Sequence, residues 1–389
     1  MVQRKKIAAI ITTFYPASHA DVIITKFVNG FPTDEGLLPP KVDIVSMYMD
    51  QVHQNDIGLD LAEKNSIPVY PSVRQALCLG GSELAVDGVL SIGEHGDYAW
   101  NEKEQHLYPR RYFFEQIAGV IATSDRPVPV FNDKHLSYNW YDAKWMYDRA
   151  QKLNIPFMAG SSVPLFWRNP WLEHSLETNI EEALVLSYGG LDAYGYHAFE
   201  ALQAMVERRI GGETGVVAVQ CLEGEAVWQA GNEGLWSRDL AEAATLVGET
   251  KEGNMEELCE EPIAFLIEYK DGLKAAVLHL RGFANEWSYA SRVDGEIQAT
   301  GMRGYGPPYP PFSYLGLNIQ EMFLTGIPQY PVERTLLVSG GLEALLDSRY
   351  RGYVRLETPH LDVVYQAYEK APIRSTNPFP SGASKGLQE

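Results

Sequence analysis

Two short stretches of this chain carry side chains that together can handle a proton on a substrate hydroxyl. In Val128–His135 an apolar strand ends in a run of polar residues that includes Lys134. Ligands of open α/β sheets bind outside the carboxyl ends of the strands, so we expect Lys134 to face a substrate. In Gly189–His197 a glycine-rich turn brings His197 near the start of a helix. A lysine and a histidine at one cleft predict proton transfer to or from a hydroxyl group.

The same strand ends carry side chains that can ligate a metal. Glu94 and His95 follow one predicted strand, and Asp133 and His135 follow its neighbour. Imidazole and carboxylate groups suit Zn²⁺, Mn²⁺ or Fe²⁺. Because side chains alternate along a strand, the four cannot all face one ion. We expect His95 and His135 as ligands, with Glu94 or Asp133 as the third. No fixed-spacing metal motif is present, and hydrogen-bonded polar loops are the alternative.

The first part of the chain alternates short apolar strands with helices. This alternation predicts an α/β fold with a doubly wound parallel sheet, in a Rossmann-like domain over residues 1–162. The predicted strands are Lys6–Thr13, Val42–Met49, Pro68–Tyr70, Val86–Ile92, Val128–Phe131 and Ile155–Met158. The predicted helices are Asp21–Gly30, Asp56–Asn65, Val73–Leu79, Arg111–Thr123 and Tyr141–Leu153.

The second part, residues 163–370, follows a different pattern. After a helix near His197–Arg209, long alternating runs predict an α+β domain with a large, mostly antiparallel sheet. A hairpin turn is predicted at residues 270–272. Residues 371–389 contain many prolines, serines and glycines, which predicts a mobile tail. The predicted strands are Gly215–Leu222, Pro262–Tyr269, Gly272–Arg281 and Ser288–Thr300.

Charge and composition limit the classes of partner. The formal net charge of −19 disfavours nucleic acid and anionic membrane surfaces. The apolar run at residues 7–11 is too short for a secretory signal, and no run approaches membrane-spanning length. The three cysteines form no CxxC pair, which argues against a disulfide framework or a thiolate zinc site. We therefore expect a cytoplasmic protein that binds a small molecule.

The order of the elements and the residues that end them resemble the Gfo/Idh/MocA oxidoreductase superfamily over most of the chain. Lys134 matches the lysine of the superfamily's Glu-Lys-Pro motif. Gly195 and His197 match the end of its Asp-x-Gly-x-His motif, with Asp192 one residue before the usual aspartate position. Asp50, at the end of the second strand, matches the acidic residue that binds an adenosine ribose.

The resemblance implies a two-domain, NAD- or NADP-dependent oxidoreductase that acts on a sugar, an inositol or a related polyol. It implies that Lys134 stabilises an alkoxide, that His197 is the general base and that Asp192 is a further catalytic residue. It also implies that Asp50 contacts the cofactor and that Arg168, which matches an arginine at the start of the second domain, contacts substrate. The superfamily's second-domain sheet commonly packs face to face, which implies a homodimer or homotetramer.

Two segments depart from the superfamily pattern. Its Gly-x-Gly-x-x-Gly turn lets the backbone approach a pyrophosphate, but residues 12–21 of this chain contain no glycine. Ser18 and His19 are the residues of this turn that we expect to contact an anion. After the fourth strand, Glu94 and His95 stand where the superfamily usually carries Thr-Pro or Asn-Pro beside the nicotinamide.

Three further residues are expected to contact the substrate. The rings of Tyr98 and Trp140 can stack on the apolar faces of a polyol, and His106 can bind its polar groups. The leading hypothesis is an NAD(P)-linked oxidoreductase of a polyhydroxylated small molecule with an atypical cofactor site. The alternative is a metal-dependent lyase, hydratase, epimerase or glycosidase-like enzyme that has lost dinucleotide binding. A non-catalytic ligand sensor is the third class considered.

Overall fold

The computed structural model describes residues 4–387. In its first part, six parallel strands form a sheet in the order β5-β4-β1-β6-β7-β8, which confirms the predicted doubly wound sheet. The order reverses between β1 and β6, where this architecture places its ligand crevice. The elements are β1 (Lys5–Ile11), α1 (His19–Asn29), β2 (Phe31–Thr33), β3 (Gly36–Leu38), β4 (Val42–Met49), α2 (Gly58–Lys64), β5 (Val69–Tyr70), α3 (Val73–Leu77), β6 (Gly88–Ile92), α4 (Arg110–Ser124), β7 (Val130–Asp133), α5 (Trp140–Lys152) and β8 (Phe157–Gly160).

The second part contains an eight-stranded sheet in the order β16-β11-β12-β13-β10-β14-β15-β9. All of its pairings are antiparallel except β10 with β13, which confirms a large, mostly antiparallel sheet. The elements are β9 (Trp167–Asn169), β10 (Ile180–Ser187), α6 (Ala193–Val206), β11 (Val216–Glu223), α7 (Glu225–Asn232), α8 (Arg238–Val247), α9 (Met255–Leu258), β12 (Glu261–Tyr269), β13 (Lys274–Arg281), β14 (Trp287–Val293), β15 (Glu296–Arg303), α10 (Pro310–Thr325), α11 (Val332–Tyr350) and β16 (Leu356–Glu357).

The prediction of a single strand over Ser288–Thr300 is wrong. Asp294 and Gly295 adopt φ angles of 49° and 80° and turn the chain between β14 and β15. Asp-Gly tolerates this left-handed backbone and is a strong hairpin signal, which the longer alternating run concealed.

The sheet face that was expected to pack against another copy is partly covered by the chain itself. Helices α7 and α8 lie over it and bury Trp228 and Leu240 against Leu184, Leu278 and Ala290 of the strands. The covered part offers no free apolar face, so the expected face-to-face contact is not available there. A homodimer or homotetramer stays a prediction.

The C-terminal part of the chain returns to the first domain. Helix α10 packs on α1 and β2, and its Ile319 shares a core with Ile24 and Phe31. Residues 388 and 389 of the tail predicted to be mobile lie outside the described residues. Within the described part, the Ser381 amide donates to Asp34 Oδ1 (2.7 Å) and the Ile373 amide donates to Asn318 Oδ1 (2.8 Å). Within residues 4–387 no helix combines the length and apolar character needed to cross a bilayer.

Candidate active site

Lys134 lies directly after β7, at the carboxyl edge of the first sheet. Its φ of 57° turns the backbone, and its amide donates to the carbonyl of Gly160 at the end of β8 (3.0 Å). The side chain is buried, and Nζ donates to Glu94 Oε1 at 3.0 Å. The lysine predicted from the strand end therefore lies at the sheet edge as an ion-paired cation.

Glu94 is the centre of a buried charge cluster. One of its oxygens binds Lys134 and the other binds the guanidinium of Arg110, whose Nη1 lies 2.7 Å from His135 Nε2. Burial alone raises the pKa of the Glu94 carboxyl, but Lys134 and Arg110 outweigh it and hold that pKa well below its ordinary value. Glu94 is thus an anion that binds Lys134, after the end of β7, and Arg110, at the start of α4.

A second acid–base pair joins α1 to the end of β7. His19, at the first position of α1, places Nδ1 2.6 Å from Asp133 Oδ2. Asp133 is completely buried, and its other oxygen has no hydrogen-bond partner. The His95 ring lies 5.2 Å from the His19 ring, and its buried Nε2 is also without a partner. Two buried polar atoms at this edge of the sheet are therefore without a partner in the structure.

His197 contacts the end of β8 from the second domain. Its Nδ1 lies 3.0 Å from Ser161 Oγ, and Ser161 binds the Glu200 carboxylate through both its hydroxyl (2.5 Å) and its amide (3.0 Å). Burial, and then the ammonium of Lys134, lower the pKa of His197 well below its ordinary value. The imidazole of His197 is therefore uncharged near neutral pH. The reason is burial beside a cation.

Asp192, at the start of α6, contacts His106, in the segment between β6 and α4. Asp192 Oδ2 accepts the His106 amide at 2.9 Å, and burial raises the pKa of Asp192. The His106 ring stacks on Trp100 at 4.2 Å, and its Nε2 lies 2.9 Å from the Tyr98 carbonyl oxygen. Asp192 therefore holds the backbone at His106. The His106 ring nitrogen, which was expected to bind substrate, contacts the Tyr98 carbonyl oxygen instead.

The nucleotide groove, defined here as the turn at residues 12–21 together with residues 50–53, does not fit a dinucleotide in the superfamily's usual mode. Both oxygens of Asp50, the residue expected on the ribose, already accept hydroxyl hydrogen bonds at 2.6 Å, one from Tyr48 and one from Tyr98. The side-chain amide of Gln51 pairs with the backbone of Asp97 in both directions. The loop after β6 is thereby tied across the groove.

The phosphate end of the groove is also filled. Asp21 Oδ2 accepts the Ala17 amide at 2.8 Å, and Ser18 Oγ accepts the amides of Tyr15 and Asp21. The Tyr15 ring packs on His53 at 4.3 Å. A pyrophosphate needs free amides and positive potential at a helix start, whereas the start of α1 carries the Asp21 carboxylate. Ser18 acts as the helix cap, and His19 is paired with a β7 carboxylate.

The predicted metal site is not supported. Within residues 4–387 no group of three or more His, Cys, Asp or Glu side chains is arranged to hold an ion. Glu94 binds Lys134 and Arg110, and His135 Nε2 faces Arg110, so these ligand atoms point at cations. A further divalent cation would meet electrostatic repulsion there.

Two predicted substrate residues lie elsewhere. Arg168 is buried and donates to the carbonyls of Pro164 (3.2 Å) and Leu172 (2.7 Å) and to Glu173 (2.7 Å), so it is a structural residue. The Trp140 ring packs on His360 at 5.3 Å and against α11, away from the charge cluster. Neither residue is retained as a substrate contact, because each satisfies a packing requirement that sequence position alone does not reveal.

Sequence reasoning missed Ser161 and Glu200. Glu200 follows His197 by three positions on α6, which places both on one helix face. A carboxylate inside a helix that is otherwise almost wholly apolar was a usable signal. No signal marked Ser161, because its role depends on where β8 ends.

The chain has the fold of several solved dehydrogenase structures, which agrees with the resemblance at the level of fold. GenD2 from gentamicin A biosynthesis, in complex with NAD, is 14% identical, with a TM-score of 0.58 over 92% of this chain and 97% of that one. A myo-inositol dehydrogenase from Corynebacterium glutamicum is 10% identical, with a TM-score of 0.55 over 91% and 99%.

A third similar structure is scyllo-inositol dehydrogenase from Lactobacillus casei with bound NAD(H) and scyllo-inositol, at 10% identity and a TM-score of 0.56 over 91% of this chain and 99% of that one. No protein-family model and no curated protein sequence matches the chain.

Proposed function

We propose that this protein is an oxidoreductase-like enzyme that acts on a hydroxyl-bearing carbon of a polyhydroxylated small molecule, such as a sugar or an inositol. The observation that carries the proposal is the placement of Lys134 near His197 between the two domains. The Lys134 amide donates to the Gly160 carbonyl, and His197 Nδ1 lies 3.0 Å from Oγ of the next residue, Ser161. The fold of the inositol dehydrogenases supports the substrate class.

In this proposal the chain's own residues perform the proton chemistry. Neutral His197 accepts the proton of the substrate hydroxyl, while Lys134 stabilises the developing alkoxide. Ser161 and Glu200 fix the orientation of the imidazole through its Nδ1. His19, paired with Asp133, is a second group that can exchange a proton at the sheet edge.

NAD or NADP is the cofactor that the resemblance implies, and it serves as hydride acceptor in such enzymes. The nucleotide groove of this chain does not fit it in the usual mode, because Tyr98 engages Asp50 and Asp21 occupies the phosphate end. We therefore derive no step through a nicotinamide.

The filled groove favours a second candidate function on the same substrate class. Two acid–base groups, His197 and the His19–Asp133 pair, flank one charge cluster. Such an arrangement can remove a proton at one position and return it at another, as in an epimerisation or a dehydration. This candidate needs no dinucleotide in the groove.

Calorimetric titration with NAD⁺ and NADP⁺, followed by a panel of inositols and sugars, separates the two candidates. Micromolar nucleotide binding with nucleotide reduction by a polyol supports the oxidoreductase. Conversion of a polyol without nucleotide binding supports the second candidate. Either activity should fall roughly 100-fold or more in Lys134→Ala. It should stay unchanged in Lys144→Ala, whose lysine forms an exposed pair with Asp148. Activity that survives Lys134→Ala contradicts both.

A further inference from the structure

A line of hydrogen-bonding groups runs from His197 into the protein interior. His197 Nδ1 lies 3.0 Å from Ser161 Oγ, and this hydroxyl donates to Glu200 Oε2 at 2.5 Å. Ser161 and Glu200 are buried, whereas the His197 ring keeps partial exposure. Within residues 4–387 the other ring nitrogen, Nε2, makes no hydrogen bond. Nε2 is therefore the ring nitrogen that is available to a substrate.

The hydrogen-bonding capacity of the Ser161 hydroxyl is fully used. A hydroxyl offers one hydrogen to donate and two lone pairs to accept. One lone pair of Ser161 Oγ accepts the Val163 amide at 3.3 Å, and the hydrogen is donated to Glu200. One lone pair remains for the contact with His197, so Nδ1 must carry the ring hydrogen. In a neutral imidazole Nε2 is then a proton acceptor.

The backbone at the end of β8 is shaped to receive the Glu200 carboxyl group. The Ser161 amide donates to both of its oxygens, at 3.1 Å to Oε1 and at 3.0 Å to Oε2. Gly160 precedes this amide with a φ of 133°, and a Cβ atom there would clash with Glu200 Oε1. The carboxyl group is therefore fixed against β8 and held at the serine hydroxyl.

The titratable groups around Glu200 come from α6 and from the start of α11. Arg334 of α11 favours the Glu200 anion, but it is already paired with Glu207. Tyr196 of α6 and Tyr330, just before α11, are neutral because burial raises the pKa of each hydroxyl. Burial has the largest influence on Glu200 and raises its pKa to about 7. Both protonation states of Glu200 are therefore populated near neutral pH.

A proton on Glu200 reverses the hydrogen bonds of Ser161. Because Oε2 lies 2.5 Å from Ser161 Oγ, a proton on this oxygen is donated to the hydroxyl. Val163 still uses the second lone pair, so the hydroxyl hydrogen must point to His197. Nδ1 then becomes the acceptor, and Nε2 carries the ring hydrogen. Both arrangements use the hydrogen and both lone pairs of the hydroxyl.

We propose that Glu200, acting through the Ser161 hydroxyl, sets which nitrogen of His197 carries the ring hydrogen. With Glu200 ionised, Nε2 is bare and accepts the proton of a substrate hydroxyl. With Glu200 protonated, Nε2 carries a hydrogen and can only donate it. Glu200 is thus a positioning residue that selects the direction of proton transfer. The consequence for the reaction rests on the proposed function, whereas the tautomer is a property of the free protein.

The proton transfer balances along the same line of groups. When Nε2 accepts the substrate proton, the Nδ1 hydrogen passes to Ser161 Oγ and the Ser161 hydrogen passes to Glu200 Oε2. The substrate becomes an alkoxide and Glu200 becomes a neutral acid, so no imidazolium is formed beside Lys134. The product of this transfer is the second arrangement of hydrogen bonds. The groups that act electrostatically on the imidazole itself are Lys134, His19 and Glu94.

Nitrogen-15 NMR of the full-length, histidine-labelled protein tests the tautomer without any substrate. The His197 signals are identified by their absence in His197→Gln. We expect the tautomer with hydrogen on Nδ1 at about pH 8.5 and the one with hydrogen on Nε2 at about pH 5.5, with the midpoint near 7. Glu200→Gln mimics the protonated acid, so Nε2 should carry the hydrogen at both pH values.

Ser161→Ala removes the hydroxyl, should abolish the pH dependence of the tautomer, and carries the test if Glu200→Gln does not fold. Glu233→Gln, at an exposed carboxyl, is the control and should keep the wild-type midpoint. In polyol turnover, wild-type kcat/KM should fall about tenfold per pH unit below the midpoint, and this limb should vanish in Glu200→Gln. At about pH 8.5, kcat/KM of Glu200→Gln should be roughly 100-fold below wild type.

The outcomes separate this proposal from the proposed function. A single His197 tautomer throughout the pH range in the wild-type protein overturns the proposal. A switch that persists in Glu200→Gln or in Ser161→Ala overturns it as well, as does a doubly protonated ring at about pH 5.5. If the tautomer switches as expected but no polyol is converted, the tautomer assignment is supported and the proposed function alone is overturned.

Discussion

The β1–β4 side and the β6–β8 side of the first sheet's carboxyl edge both carry polar residues where this fold places ligands, yet the two sides use them differently. On the β1–β4 side, the Asp50 carboxylate is bound by two tyrosine hydroxyls and the α1 start is closed by Asp21. On the β6–β8 side, Asp133 Oδ1 and His95 Nε2 stay unpaired beside a buried charge cluster. The carboxylates of the first side have hydrogen-bond partners, whereas the second side keeps two buried polar atoms without a partner.

This comparison shows that retained residue types do not guarantee a retained role. Asp50 stands at the ribose position of the superfamily, but the loop after β6 supplies Tyr98 to its carboxylate. Lys134, which the resemblance aligns with a catalytic lysine, donates to Glu94, a residue outside the superfamily pattern. The neighbours that each residue acquires in the fold determine its chemistry.

The largest effect is expected at the centre of the charge cluster. Glu94→Gln removes the anion that compensates Lys134 and Arg110, and two buried cations then face each other. The free energy of unfolding should fall by about 3–5 kcal/mol. Urea denaturation measures it. Glu115→Gln, which breaks an exposed pair with Arg111, should cost less than about 1 kcal/mol. Equal losses in the two variants would show that the cluster is not buried as described.

A smaller effect, with a defined pH dependence, is expected behind His197. Burial raises the pKa of Glu200 from 4.5 to about 7, so the folded protein binds a proton that the unfolded chain releases. Stability is therefore highest below pH 4.5 for this group and falls as pH rises through about 7, by about 3 kcal/mol. Glu200→Gln should remove this decline.

The measurement is urea denaturation of wild type and Glu200→Gln between pH 5 and 8. Glu233→Gln, which changes an exposed carboxyl, should keep the wild-type slope. A parallel pair of curves for wild type and Glu200→Gln would contradict the raised pKa.

The smallest effect is expected in the nucleotide groove. Tyr98→Phe removes one hydrogen bond to Asp50 at a partly exposed position, and should lower the free energy of unfolding by about 1 kcal/mol. Tyr141→Phe, at an exposed tyrosine, should have no measurable effect. Calorimetry on the same variant sharpens the comparison. Because Asp21 and Tyr15 still fill the phosphate end, NAD⁺ affinity should not rise; a gain would show that Tyr98 alone closes the groove.

Much of the fold was predictable because it depends on local patterns. The alternation of apolar strands and helices predicted the first sheet, and the strand ends predicted that Lys134 and Glu94 lie at one edge of it. The Asp294–Gly295 pair is also a local signal for a hairpin, although a single strand was predicted there. The covering of the second sheet by α7 and α8 was not predictable, because an amphipathic helix does not specify which apolar face it covers.

The sequence by itself determined the element types, the edge where chemistry is placed and the residues available there, since periodicity and turn propensity act over a few neighbours. Only the tertiary structure decided which side chains contact one another. Glu94 meets Lys134 from 40 positions away, and Tyr98 meets Asp50 from 48. Contacts of such separation depend on strand order and loop path. As a result, Glu94, which was expected to bind a metal, is the counterion of Lys134. Asp50, which was expected to contact a ribose, accepts a hydrogen bond from Tyr98.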